Sequence, residues 1–243
     1  MINIDDIKKF FHGKILLSEP LKKYTSLRIG GPADYYFEPM DKEDGLNIIS
    51  YLQKQEVPFV AIGKGSNLLV SDDGFRGAVV NIESALKSIY IEGSSVIAEA
   101  GATLIRFVDF CIQHNFKGVE MLAGIPGTIG GAVIMNAGAY GGEISNYLID
   151  DDIIRGGTIV VLKKEEIAYS YRYASLQPDD VVLSASFRFP GGNREELMKI
   201  RNDLILQINR KHPVDLPNGG SGVKKPPGSP AAKFIEDAGL KGV

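Results

Sequence analysis

Cysteine is nearly absent from this sequence. Cys111 is the single one among 243 residues, which excludes an internal disulfide and fits a reducing cytoplasm. A basic excess is missing too, since the net charge is −3, and this argues against nucleic acid as the main partner. No apolar run approaches the roughly 20 residues of a membrane span, so we expect no membrane insertion. The three histidines are scattered, and no metal site is predicted.

What remains is an ordinary composition, with 44% hydrophobic and 23% charged residues, as in soluble globular proteins. The chain is long enough for one large domain or two to three smaller ones. Hydrophobic periodicity predicts helices over residues 3–12, 41–55, 103–114, 194–210 and 230–239, and a short one from about 129. Apolar and alternating runs predict strands at residues 35–38, 58–62, 78–82, 88–92 and 96–100, within 148–162, and at 181–189.

A glycine-dense segment at residues 124–143 is the most informative feature of the chain. Glycine permits positive φ and lets backbone approach a ligand or another strand closely. The intervening residues are apolar or rigid, so the segment is not a flexible linker. An ordered loop with exposed backbone N–H groups is suited to cradling phosphates or a flat cofactor. The alternative is a tight, glycine-packed turn between core elements.

A second glycine loop, Gly63-x-Gly65-Ser66-Asn67, directly follows a predicted strand. It is not a dinucleotide fingerprint of the G-x-G-x-x-G type, because position 68 is Leu and no helix opens there. It is not a P-loop either, since Lys64 lacks the following Ser or Thr. On its own the loop is weak support for a binding site, and a tight turn is the alternative.

Three further positions carry candidate chemistry. Arg172 lies between tyrosines in a polar, aromatic segment, where it is either a structural cation–π residue or a bidentate partner for a carboxylate. Ser221 has no neighbouring His or Asp and does not fit a hydrolase elbow, because position 223 is Val. Lys224 and Lys225 suit a phosphate but equally a solvated loop.

The order of these motifs resembles one family closely, the UDP-N-acetylenolpyruvoylglucosamine reductases of bacterial peptidoglycan synthesis, in a form similar to their shorter, type II branch. The long glycine motif is specific, and the likeness spans roughly residues 15–243. It is carried by residues 25–34 (Thr-Ser-Leu-Arg-Ile-Gly-Gly-Pro-Ala-Asp), 63–69, 122–141 and 171–172.

The resemblance implies an α+β fold with an FAD-binding part of the vanillyl-alcohol-oxidase (PCMH) type. Two FAD-binding subdomains would cover residues 1–84 and 85–190. Residues 191–243 would form the start of an α+β substrate domain, which would be incomplete. Predicted cofactor residues are Gly63, Lys64, Gly65, Ser66, Asn67, Gly124, Ile125, Pro126, Gly127, Thr128, Gly130, Gly131, Ala132, Asn136 and Gly138.

The family reaction implies two cofactors, FAD and NADPH, and a UDP-linked amino-sugar substrate. NADPH gives a hydride to FAD, which passes it to the enolpyruvyl group of UDP-N-acetylglucosamine enolpyruvate to form UDP-N-acetylmuramate. Arg172 matches the family arginine that stabilises the developing negative charge. Ser221 matches the serine that delivers a proton. The expected substrate contacts are Tyr171, Lys224 and Lys225. The sequence does not indicate an oligomeric state.

Two departures from the family pattern lie near the end of the chain. Around Ser221 an aromatic residue is replaced, an extra glycine enters the loop, and Lys225 stands where the family usually has asparagine. The family also continues past the segment matched by residues 234–242, and that part holds a glutamate that assists the arginine. No residue here is nominated for that role. A truncated FAD-binding protein without full reductase activity is therefore the alternative function.

Overall fold

Two β-sheets frame the molecule, and the computed structural model describes residues 2–211, 216–220 and 231–242. The strands are β1 (Lys14–Pro20), β2 (Pro32–Glu38), β3 (Phe59–Ile62), β4 (Phe75–Asn81), β5 (Ile89–Glu92), β6 (Ser95–Glu99), β7 (Gly138–Ala139), β8 (Gly142–Glu143), β9 (Leu148–Arg155), β10 (Thr158–Lys163), β11 (Tyr169–Ser170), β12 (Tyr173–Ala174) and β13 (Val181–Phe187). The helices are α1 (Ile4–Ile7), α2 (Lys42–Lys54), α3 (Leu104–Gln113), α4 (Ile129–Ile134), α5 (Arg194–Lys211) and α6 (Ala231–Asp237).

The first sheet has the strand order β1-β2-β4-β3. Strands β2, β4 and β3 are parallel, and β1 pairs antiparallel with β2 at the edge. Helix α2 is the crossover from β2 to β3, and the Asp41 side chain caps it by accepting from Asp44 N. Because parallel strands end at one edge of a sheet, the loop after β3 opens at that edge, where ligands commonly bind.

The second sheet is antiparallel, in the order β10-β9-β13-β6-β5. Helix α3 is capped by Thr103, whose side chain accepts from Arg106 N. The apolar face of α3 packs on the sheet; the rings of Phe107 and Phe187 are 5.0 Å apart. Two short hairpins, β7–β8 and β11–β12, lie outside both large sheets.

The two sheets share one hydrophobic core. Ile48 and Ile49 of α2 belong to the same buried cluster as Ile153 and Ile154 of β9. Gln53 joins the same two parts, since its Nε2 donates to Asp179 O at 2.7 Å and its Oε1 accepts from Gly157 N at 2.6 Å. The sheets are therefore fixed relative to each other, and the crevice between their loops has a defined shape.

After β13 the chain forms α5, which packs on α3 through the Arg201–Asp109 ion pair at 3.0 Å. Helix α6 follows later, and Gly239 at φ +71° lies just beyond its end. No helix among the described residues is long and apolar enough to cross a membrane. The subdomain boundaries at residues 84 and 190 stay predictions.

The structure corrects the secondary-structure prediction at several places. The lead helix, predicted over residues 3–12, ends at Ile7, because the chain turns so that His12 N donates to the buried Asp44 carboxylate at 2.8 Å. Strand β1 was not predicted; its exposure does not alternate, as expected for an edge strand. The hairpins β7–β8 and β11–β12 were not predicted either, because each of their strands has only two residues.

Candidate active site

The two glycine loops predicted to bind a cofactor lie against each other. Ser66 Oγ donates to Pro126 O at 2.9 Å. Gly63 approaches the other loop so closely that an added Cβ would collide with the Thr128 side chain. A loop at the end of the parallel sheet and a loop in front of α4 therefore meet at one crevice.

Gly65 shows why the first loop needs glycine. Its φ is +60°, and a Cβ there would collide with the Tyr24 carbonyl. Ser26 N donates to Gly65 O at 3.1 Å, which holds the segment after β1 against the same loop. Position 65 is thus fixed by close backbone approach, and the motif at residues 25–34 lies beside it for that reason.

The second loop is anchored to the antiparallel sheet. Ile129 N donates to Ala102 O and Gly130 N to Ala100 O, both at 2.9 Å. The neighbouring Leu104 N donates to Gly127 O at 3.1 Å. These bonds join the start of α3 to the start of α4, so the loop between them is ordered.

The crevice offers backbone donors of the kind that bind a diphosphate. Among the described residues, no protein acceptor faces the backbone N–H groups of residues 64–67. Gly131, at the start of α4, is exposed. Among the described residues, the only atom within 4 Å of a Cβ added there would be Thr128 Oγ1, at 3.8 Å. Consecutive free N–H groups beside an open helix start are suited to phosphate oxygens. The donors and the open space therefore fit a dinucleotide such as FAD.

The predicted cofactor residues fall into three groups by exposure. Those open to solvent can contact a ligand through their side chains or backbone: Lys64, Asn67, Pro126 and Gly131. Those buried shape the loops instead: Gly65, Thr128, Gly130, Ala132, Asn136 and Gly138. The remainder, Gly63, Ser66, Gly124, Ile125 and Gly127, are half-buried. Gly124 packs under α5, where a Cβ would press on Ile208 Cδ1 at 2.5 Å.

Arg172 lies in the two-residue turn between β11 and β12. Its φ is +57°, at the second central position of the turn, which is uncommon for a residue with a side chain. Its guanidinium carbon lies 5.0 Å from the centre of the Tyr171 ring, and its Nη2 donates to Gly138 O at 2.9 Å. The cation–π contact considered from the sequence is present, and the same side chain docks on the glycine run.

Asn136 is fully buried at φ +41°. Its Nδ2 donates to Glu143 Oε2 at 2.7 Å and to Ser170 O at 3.0 Å. Its Oδ1 is buried without a donor among the described residues. Both amide hydrogens are thus used inside the protein, and Oδ1 is enclosed by it as well, so Asn136 shapes the loop and its predicted cofactor contact stays a prediction.

The proposed serine loop begins next to the first glycine loop. Gly219 packs on Leu27: a Cβ added at Gly219 would lie 3.1 Å from Leu27 Cδ1. A Cβ added at Gly220 would lie 4.0 Å from Ser66 O. Ser221, Lys224 and Lys225 lie outside the described residues. The segment that leads into them therefore reaches the crevice.

Asp151 and Cys111 are buried ionisable groups that were not predicted to take part in the site. Asp151 on β9 is fully buried and accepts from Tyr169 Oη at 3.2 Å. Desolvation raises the pKa of its carboxyl to about 7. Burial also raises the pKa of the Cys111 thiol, so this cysteine is a packing residue. Within the described part of the chain, no group of three His, Cys, Asp or Glu side chains forms a metal site.

Comparison with known proteins agrees with this geometry. Residues 33–169 match the FAD binding domain family. The UDP-N-acetylenolpyruvoylglucosamine reductase of Caldanaerobacter subterraneus subsp. tengcongensis is 43% identical over 244 residues, covering 99% of this chain and 80% of that protein. The chain belongs to the UDP-N-acetylenolpyruvoylglucosamine reductase family.

Solved structures support the same assignment. The crystal structure of the UDP-N-acetylenolpyruvylglucosamine reductase from Thermus caldophilus superposes with a TM-score of 0.81 at 29% identity, over 96% of this chain and 82% of the other. An alkyldihydroxyacetonephosphate synthase shares the fold, with a TM-score of 0.57 at 13% identity over 77% of this chain and 40% of the other. The α+β FAD-binding fold of the vanillyl-alcohol-oxidase type is thereby confirmed. As a member of the reductase family, this chain is a flavin-dependent oxidoreductase.

Sequence reasoning missed the residues that hold the arginine. Glu143 stands inside the glycine-rich segment and Ser170 precedes Arg172 by two positions, yet neither was nominated. The Asn136–Ser170 contact joins residues 34 positions apart, and no local pattern indicates such a contact. The sequence signal that could have pointed to Glu143 is its place directly after the glycine pair Gly141-Gly142.

Proposed function

We propose that this reductase uses NADPH and FAD to reduce the enolpyruvyl group of UDP-N-acetylglucosamine enolpyruvate, yielding UDP-N-acetylmuramate for peptidoglycan precursors. One observation carries the proposal: Arg172, the match to the family arginine, docks on Gly138 in the glycine run with a 2.9 Å hydrogen bond. A substrate-binding cation is thus tied to the cofactor loop. A cytoplasmic location belongs to the same proposal.

The two glycine loops are proposed to hold FAD. Backbone N–H groups of residues 64–67 bind the diphosphate, and the open start of α4 at Gly131 leaves room for the flavin. Such contacts use dipoles rather than a large positive charge, in keeping with the net charge of −3. When bound, FAD would accept a hydride from NADPH and supply it to the methylene carbon of the enolpyruvyl group.

Arg172 is proposed to stabilise the charge that develops on the substrate. Hydride addition at the methylene carbon pushes negative charge toward the substrate carboxylate. A guanidinium has five donors in a fixed fork, and the Gly138 carbonyl uses one of them. Among the described residues no carboxylate lies within ion-pair distance of Arg172, which keeps the remaining donors available for the substrate.

Ser221 is proposed to deliver the proton to the carbon next to the carboxylate. The nearness of Gly220 to Ser66 supports this role, because it brings the start of the serine loop to the glycine loops. Tyr171 is proposed to line the substrate site with its exposed ring. Lys224 and Lys225 are proposed to pair with the substrate diphosphate.

A two-step anaerobic experiment tests the proposal. The purified protein is first mixed with NADPH, and loss of the flavin absorbance is followed. The reduced protein is then mixed with UDP-N-acetylglucosamine enolpyruvate, and return of the absorbance is followed. We expect both steps. Reduction by NADPH without reoxidation by the substrate would favour the alternative, an FAD-binding protein without full reductase activity.

A further inference from the structure

We propose that Asn136 is a positioning residue for Arg172. Its buried amide joins the two hairpins between which the arginine is held. This inference rests on the proposed role of Arg172 and goes beyond it, because it assigns to Asn136 a task separate from cofactor contact.

A closed ring of hydrogen bonds and main-chain links connects the two residues. Asn136 Nδ2 donates to Ser170 O at the end of β11 and to Glu143 Oε2 on β8. Glu143 pairs with Gly138 in the β7–β8 hairpin. Arg172 lies two residues after Ser170, and its Nη2 donates to Gly138 O, which closes the ring.

Neither hairpin can hold this arrangement alone. Each of the four strands has two residues, and isolated short hairpins are at best marginally stable. Arg172 also stands at positive φ, a conformation that persists only where the surroundings enforce it. Besides the bond that Arg172 itself makes to Gly138, the Asn136 amide cross-links one hairpin to the other at the base of the arginine.

Burial makes this cross-link strong. Asn136 is fully buried, and a buried donor that loses its acceptor carries the full desolvation cost. Asparagine is also among the residues best suited to φ +41°, because its short polar side chain tolerates the left-handed region. The position therefore selects for both a backbone conformation and a donor.

The test uses Asn136→Asp, which keeps the shape and the tolerance for positive φ. It replaces the donor by an acceptor facing two acceptors, Glu143 Oε2 and Ser170 O. We expect reduction of the flavin by NADPH to slow far less than reoxidation does, because the loops at residues 63–67 and 124–131 are not changed. Reoxidation by UDP-N-acetylglucosamine enolpyruvate should slow by about 10- to 100-fold, as expected when a catalytic group is misplaced.

Coupling to Arg172 separates positioning from general damage. In an Arg172→Lys background, the further change Asn136→Asp should slow reoxidation by less than about twofold, because its target is already lost. If Asn136→Asp slows reoxidation by the same factor in both backgrounds, the positioning role is wrong. Failure of Arg172→Lys itself to slow reoxidation would instead overturn the proposed function.

Hydrogen exchange on the protein without substrate gives a readout independent of turnover. Asn136→Asp should speed amide exchange in residues 138–143 and 169–174 and leave α3 unchanged. Unchanged exchange in both hairpins would overturn the proposal. Asn136→Gly, which keeps positive φ and removes both bonds, repeats the test if the aspartate variant does not fold. The matched control is Asn115→Asp, an exposed asparagine at φ +61°, expected to match wild type throughout.

Discussion

Around Gly65 the chain is fixed by backbone that leaves no room for a Cβ, whereas around Arg172 it is fixed by a few side-chain hydrogen bonds. The first region presents main-chain donors to a cofactor, and the second presents one charged side chain to a substrate. The steric constraint at Gly65 can be recognised from the residue type, because only glycine fits there. Hydrogen-bonded positioning depends on partners far away in the sequence. The two regions should therefore respond differently to substitution.

The largest effect is expected at Gly65. Gly65→Ala should lower the free energy of unfolding by roughly 3 kcal/mol or more and abolish flavin binding, because the new Cβ collides with backbone at positive φ. The matched control is Gly93→Ala, at φ +59° with nothing within 4 Å of the Cβ, expected to cost about 1 kcal/mol. Urea unfolding measures both. Equal losses in the two variants would show that close approach at Gly65 is unimportant.

On the hairpin side, Asp151 should make stability depend on pH. Its folded pKa of about 7 lies above the ordinary value of 3.8, so between these values the folded state holds a proton that the unfolded state releases. Its contribution to stability therefore falls as pH rises, by up to about 1.4 kcal/mol per pH unit. Asp151→Asn, which keeps an acceptor for Tyr169, should lack this slope in urea unfolding from about pH 4 to pH 7. Parallel curves for the two proteins would contradict it.

A smaller effect, on binding rather than folding, is expected at Gly131. Gly131→Ala meets no close neighbour and stands in a helix, so stability should be unchanged or rise by up to about 1 kcal/mol. The Cβ enters the space proposed for the flavin, and FAD affinity should fall by about tenfold. Titration of the protein without cofactor measures this. Unchanged affinity would remove α4 from the proposed cofactor site.

The smallest effect is expected at Ser66. Ser66→Ala removes the hydrogen bond to Pro126 O between the glycine loops and should cost about 1 kcal/mol, because close packing holds these loops as well. Thermal unfolding, with flavin content as a second readout, checks the change. A loss as large as that of Gly65→Ala would show that the loops depend on hydrogen bonds as the hairpin does.

The same contrast explains what could be predicted from the sequence. The glycine loops, the crossover helix α2 and most strands follow from residue type and periodicity, which are local properties. The edge strand β1 has no alternating exposure, with Leu17 61% exposed, and so left no signal. Asn136, Glu143 and Ser170 act through contacts between distant residues. Arg172 was found through resemblance to a family, whereas the bonds that hold it required the structure.

The most direct test of the account is the pair of half-reactions in Arg172→Lys, which keeps the charge but loses the fork of donors. We expect FAD content and the rate of reduction by NADPH to equal those of wild type, because the loops at residues 63–67 and 124–131 make no hydrogen bond to Arg172 among the described residues. Reoxidation by UDP-N-acetylglucosamine enolpyruvate should slow by about 100-fold or more. Equal slowing of both half-reactions, or reoxidation at the wild-type rate, would contradict the division of labour between the glycine loops and the arginine hairpin.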